Sequence, residues 1–169
     1  MARDVAACSA VLIALLIPPA LALGASSQAQ VTVSGGGLSA DGPTRVDLPT
    51  VRLAGDDQTV EATVGPIRVT DTRANGAGWS LVAAADRPRD ARGREMAASL
   101  VLEPRAPAGA VRSDLVVGAA GAADIPTALL SAPPGSPGGM VEVSPGIRLT
   151  VPRDAASGVY TAALVVTVS

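Results

Sequence analysis

Ile67-Arg68-Val69-Thr70-Asp71-Thr72-Arg73-Ala74-Asn75-Gly76-Ala77-Gly78-Trp79-Ser80-Leu81 is the stretch on which the fold is read. It opens β-prone, turns glycine-rich in the middle, and resumes an apolar alternation at Trp79. That order predicts strand, turn, strand. Asn75-Gly76 is its strongest turn pair, because both residues tolerate positive φ, and it predicts a hairpin joining residues 67–70 to residues 79–83. Trp79 is the one tryptophan, Tyr160 the one tyrosine, and the chain has no phenylalanine.

Outward from this segment, short β-prone runs are cut repeatedly by Gly, Pro, Asn and Asp. Strands are predicted over residues 30–34, 46–53, 59–64, 99–102, 115–117, 129–131, 140–143 and 147–151, and one long strand over 159–168. Pro49 places the second of these at an edge or a bend. Residues 85–94 are charged and read as a loop, and residues 133–139 as a sharp Pro/Gly loop. No amphipathic helical period and no solenoid repeat is visible beyond the first residues. The pattern predicts an all-β fold: a two-sheet antiparallel β-sandwich, Ig-like. In the last strand Tyr160, Ala162, Leu164, Val166 and Val168 share one face, expected inward. Gly158-Val159-Tyr160 resembles a tyrosine corner, in which the phenol bonds backbone upstream.

The beginning of the chain has another character. Met1-Ala2-Arg3-Asp4 precedes an apolar run to Ile17, and small residues follow to Ser27-Gln28-Ala29. This is the order of a secretory signal peptide, expected over 1–29 with cleavage before Gln30; Ala22 and Ala25 are alternative last leader residues. Pro18-Pro19 interrupt the apolar run short of the roughly 20 residues a membrane span needs, so no membrane span is expected after cleavage. Cys8 leaves with the leader, so no disulfide staples residues 30–169, which are expected to form a single domain. Export places the protein outside the cell.

Composition excludes several function classes. The net charge is −2, which argues against nucleic acid as a partner. The chain has neither Lys nor His, so the commonest general bases and nucleophiles are missing, as are the usual soft metal ligands. Ser80 and Ser131 have nothing to activate them. Composition leaves carboxylate-based glycoside cleavage open, but nothing in the sequence places two carboxylates together. Asp56-Asp57 with Glu61 match no dedicated Ca²⁺ loop and read as an exposed turn. No enzyme activity, cofactor or metal is expected.

The ordered residues resemble a known family. Val69-Thr70-Asp71-Thr72-Arg73, a Gly-rich turn and Gly78-Trp79-Ser80-Leu81 are similar to the first half of the WxL domain of bacterial cell-surface proteins. Leu129-Leu130-Ser131-Ala132 before a Gly/Pro loop resembles its middle, and Leu149-Thr150-Val151-Pro152 with Gly158-Val159-Tyr160 and Leu164 its end. The resemblance covers most of the chain from about residue 46. It departs at the close, where Val165, Val166 and Val168 stand in place of the family's Thr, Trp and Leu, so the second Trp motif is lost. The resemblance implies a cell-wall-associated protein held non-covalently, with peptidoglycan or another wall polymer as ligand. The alternative is an assembly subunit that joins another surface protein through a strand edge or loops.

Trp79 then has two readings: a flat ring stacking on a sugar, or the largest side chain of a core otherwise built from Val, Leu, Ile and Ala. Asp71 and Arg73 are the other ligand-binding candidates, against a role in holding the turn. Leu81, Tyr160 and Leu164 are expected to be structural. The arginines of residues 86–95 form a solvated loop that is also able to meet anionic wall polymers.

Overall fold

A computed structural model describes residues 34–107 and 114–169. The expected signal peptide and residues 30–33 of the first expected strand lie outside the described residues. Among those described there are thirteen strands, every pairing is antiparallel, and there is no helix.

The first layer rests on two long runs of chain. β2 (Gln58–Thr63) and β3 (Ile67–Asp71) are successive, as are β10 (Gly139–Val143) and β11 (Gly146–Val151). β3 pairs with β10 from Ile67↔Val143 to Asp71↔Gly139, and β2 pairs with β11 from Gln58↔Val151 to Thr63↔Gly146. The two ladders are one antiparallel pair with a kink. Residues 64–66 on one side oppose residues 144–145 on the other, so one extra residue bulges the first run. The Val64 amide donates to the Pro145 carbonyl across the kink at 2.9 Å. Pro66 and Pro145 sit where ladder donors are not needed. β1 (Leu38–Asp41) flanks β3; β6 (Ser99–Glu103) and β8 (Gly121–Ala122) extend the sheet beyond β11.

The second layer is a four-stranded sheet in the order β13 (Leu164–Val168), β4 (Trp79–Ala85), β9 (Thr127–Ala132), β7 (Val116–Val117). β5 (Arg89–Asp90) and β12 (Tyr160–Thr161) form a separate two-stranded pair. β4 alternates buried and half-buried along its whole length, as a strand with one covered face must. Its inward residues Trp79, Leu81, Ala83 and Ala85 share one core with Ile67, Val69, Val141 and Val143 of the first layer. The outer face of the first layer is charged and ion-paired: Arg68 meets Glu142, and Arg148 meets Glu61 and Glu103. These pairs are exposed and set strand register more than they add stability.

Several expectations are corrected. Residues 67–70 and 79–83 do not pair as a hairpin. β3 belongs to one layer and β4 to the other, so residues 72–78 form an arch across the core. The positive φ values fall on Ala74 (56°), Gly76 (60°) and Gly78 (75°), not on Asn75. Residues 46–53 form no strand; Val46 and Leu48 pack on the core from an extended strap. The long C-terminal strand is broken at Ala162-Ala163, where the chain leaves β5 and joins β4. Ala162 is accordingly exposed, while Leu164, Val166 and Val168 are half-buried. The charged loop contains β5, which pairs with β12.

Candidate functional site

The Asp71–Trp79 arch is where the candidate residues meet. Asp71 ends β3 and is 7% exposed. Arg73 folds back on it as a two-pronged fork: Nε donates to Oδ1 at 3.0 Å and Nη2 to Oδ2 at 3.1 Å. The Arg73 amide also donates to Oδ1 at 3.1 Å, and Nη2 donates to the Gly78 carbonyl at the far end of the arch. Hydrogen bonding to Asp71 raises the Arg73 guanidinium above its ordinary value, so it stays charged at any pH the fold survives. The Asp71–Arg73 pair spans the turn and ties its two ends together.

Chain from two other places seals the arch. On one side the Gly36 amide donates to the Thr72 carbonyl at 2.6 Å, and the Thr72 amide to the Gly37 carbonyl at 2.9 Å. On the other, the Gly135 amide donates to the Gly76 carbonyl at 2.8 Å. Inside, Asn75 Oδ1 accepts from the Ala77 amide at 3.1 Å, an Asx turn. Gly78 needs to be glycine twice over: its φ is positive, and a Cβ there would stand 2.6 Å from the Ala132 carbonyl oxygen.

Trp79 follows directly and is 6% exposed. It lies opposite Ala132 and shares the core with Leu81, so it presents no face on which a sugar ring could stack. Ser80 lies opposite Ser131, and Leu81 lies between Leu130 and Val168. Of the WxL-like pattern, residues 78–81, residues 129–132 and Leu164 therefore meet on β4 and its two neighbours, while residues 149–152 lie on β11 in the first layer and residues 158–160 lead into β12.

Tyr160 and Leu164 lie at the other end of the domain. The Tyr160 hydroxyl donates to the Ala156 carbonyl at 2.9 Å, the upstream bond of a tyrosine corner. Leu164 is half-buried against the core. This end also holds what the sequence reading missed: a cleft of about 1140 Å³ between the strap carrying Val46 and Leu48 and the inner residues Leu100, Ile147, Leu149 and Leu164. Its walls are mostly non-strand segments, which leave no periodic signal.

The charged segment is built rather than merely solvated. Asp90 Oδ1 accepts from the amides of Arg92 and Arg94, both at 2.9 Å, and Oδ2 accepts from Arg94 Nε at 2.7 Å. Burial opposes charge on Asp90, but the Arg94 and Arg92 amides and the Arg94 guanidinium outweigh it and hold the carboxyl below its ordinary value. Glu95 takes Arg89 at 2.6 Å and Arg87 at 3.9 Å. Arg92 is exposed. Asp57 accepts from the Arg153 amide at 2.9 Å, and Glu61 is engaged by Arg148. Among the described residues no three potential ligands gather around a cation-sized space.

No family model matches the chain, and no curated protein and no solved structure matches it.

Proposed function

We propose that this is a secreted, non-catalytic cell-surface module that associates non-covalently with the bacterial cell wall, with peptidoglycan as its ligand. The observation that carries the reading is the convergence on β4. Residues 78–81, residues 129–132 and Leu164, parts of the WxL-like pattern in that order, occupy the adjacent strands β4, β9 and β13, with residues 69–73 leading into the arch that feeds β4 and residues 149–152 and 158–160 lying on and beside β11 and β12. Trp79, Asp71 and Arg73 hold the fold in this reading, and wall contact falls to exposed groups, foremost Arg87 and Arg92 on the charged turn. The test is to incubate residues 30–169 with purified sacculi, pellet them, and wash in high salt. Retention through the wash is expected. Complete release would overturn wall attachment.

A second reading, an assembly subunit working through a strand edge, is favoured by a separate observation. Among the described residues β13 pairs on one side only, with β4. Such an edge is suited to strand addition.

A further inference from the structure

We propose that the cleft beneath the strap is a binding site for a small amphiphile with one long aliphatic chain and an uncharged head, of the fatty-alcohol class. The proposal goes beyond wall attachment and does not depend on it.

Inward side chains pack unequally along the domain. Val60, Leu149 and Leu100 stand abreast across β2, β11 and β6. They line the cleft together with Leu164 and Val166 of β13, and all five are only half-buried. Two residues along the same strands and on the same face, Leu102 and Ile147 stand abreast and are 0% and 6% exposed. The interior is thus sealed at one end and incompletely covered at the other. A close-packed core leaves few voids larger than a water molecule. The space here is about 1140 Å³, at or beyond the upper end of the roughly 300–1,000 Å³ that small-molecule sites occupy. Water gains little from such walls, whereas an apolar guest is held by them.

The lining selects the guest. Ile147, Leu149 and Val151 follow one another along β11 and all face the cleft. At the rise of a strand they make an aliphatic row of about 13 Å, which suits an extended alkyl chain. Tyr160 is the one aromatic residue in the walls, and its hydroxyl is committed to the Ala156 carbonyl, so a planar ligand has little to stack on. The charged groups of the lining are Asp41, Arg45 and Asp47, all exposed. Arg45 Nε donates to Asp47 Oδ1 at 2.7 Å. Two carboxylates against one guanidinium leave the mouth with net negative charge at neutral pH, which disfavours a carboxylate or phosphate head and tolerates a hydroxyl.

A route in is also present. Among the described residues, no backbone hydrogen bond ties residues 43–55 to either layer, and Val46 and Leu48 hold the strap by apolar contact. The strap can therefore shift to admit a chain without opening a ladder.

Residues 30–169, which contain the compact unit Val33–Ser169, would be titrated by calorimetry with 1-decanol, decanoate and 1-naphthol. One 1-decanol per chain is expected, with a negative heat-capacity change and a raised melting temperature. Decanoate and 1-naphthol should each bind more weakly by about tenfold or more. Leu149→Trp and, separately, Val60→Phe put added bulk into the cleft. Each should weaken 1-decanol binding by about tenfold or more while melting no lower than the parent, because the space exists to take it. No 1-decanol binding up to its solubility limit, undiminished binding in both variants, or decanoate or 1-naphthol bound as tightly as 1-decanol would each overturn the proposal. A fall in melting temperature in both variants, the response of a filled core, would overturn it as well. Retention on sacculi without 1-decanol binding would overturn the cleft site and leave the wall reading standing.

Discussion

Trp79 and Asp90 show how single residues in this chain are committed. Trp79 is the largest side chain in a core made mostly of Val, Leu, Ile and Ala, and nothing nearby is large enough to fill its space. Trp79→Ala is expected to destabilise the domain by about 3–5 kcal/mol in urea unfolding, and a variant that melts like the parent would show that the ring is not packed. Asp90 predicts an acid response. Its carboxyl is held below the ordinary 3.8, so the folded state takes up this proton less readily than the unfolded chain. The stability it contributes is fully present above 3.8 and is lost as pH falls through the lower folded value. Asp90→Asn should thus melt below the parent at pH 7, and the gap should close on acidification under 3.8. A gap unchanged down to pH 2 would assign the difference to something other than ionisation. The structural role of Trp79 was one of two readings open in the sequence. Burial decides between them, and burial depends on β9 and β13, which lie far away along the chain.

The arch is the element on which local and long-range rules diverge. Short β-prone runs between Gly, Pro, Asn and Asp located β2, β4, β6, β9, β10 and β11, and in β2 and β4 one covered face writes a period of two into the residues. Alternation does not say which strand is the neighbour. Turn chemistry at Asn75-Gly76 pointed to a hairpin, yet β3 finds β10 and β1, and β4 finds β9 and β13. β1 and β5 went unread because they are short, four and two residues, and β5 is charged throughout. The strap over residues 46–53 looked like a strand because its apolar residues pack on the core without a ladder. Two substitutions test the arch. Gly78→Val sets a branched side chain at positive φ, with its Cβ 2.6 Å from the Ala132 oxygen, and is expected to cost more than about 2 kcal/mol or prevent folding. Ala74→Gly relieves a left-handed alanine at φ 56° and should raise stability by up to about 1 kcal/mol in thermal melts. If Ala74→Gly is as destabilising as a glycine in regular strand, residue 74 does not hold that conformation.

At the scale of the molecule, the two layers present opposite exteriors. The first is ion-paired through Arg68–Glu142 and Glu61–Arg148–Glu103. Outward on the second stand Ser80, Val82, Ala84, Ala128, Ser131, Val165 and Thr167, all uncharged. If wall retention is carried by the charged turn, Arg87→Ser with Arg92→Ser should lower the salt concentration that elutes the protein from sacculi without lowering its melting temperature. Unchanged elution would move the contact elsewhere on the surface. The kinked pair of the first layer also governs when the chain can fold. It ties residue 58 to residue 151 and residue 71 to residue 139, so none of that ladder closes until most of the polypeptide is present. Contacts this distant in sequence place refolding in the range of about milliseconds to seconds, slow for a domain of this size. A chain delivered from its N-terminus therefore holds β2 and one side of β3 without a partner until residues 139–151 arrive, while the β1–β3, β4–β9 and β6–β8 pairs are already able to close.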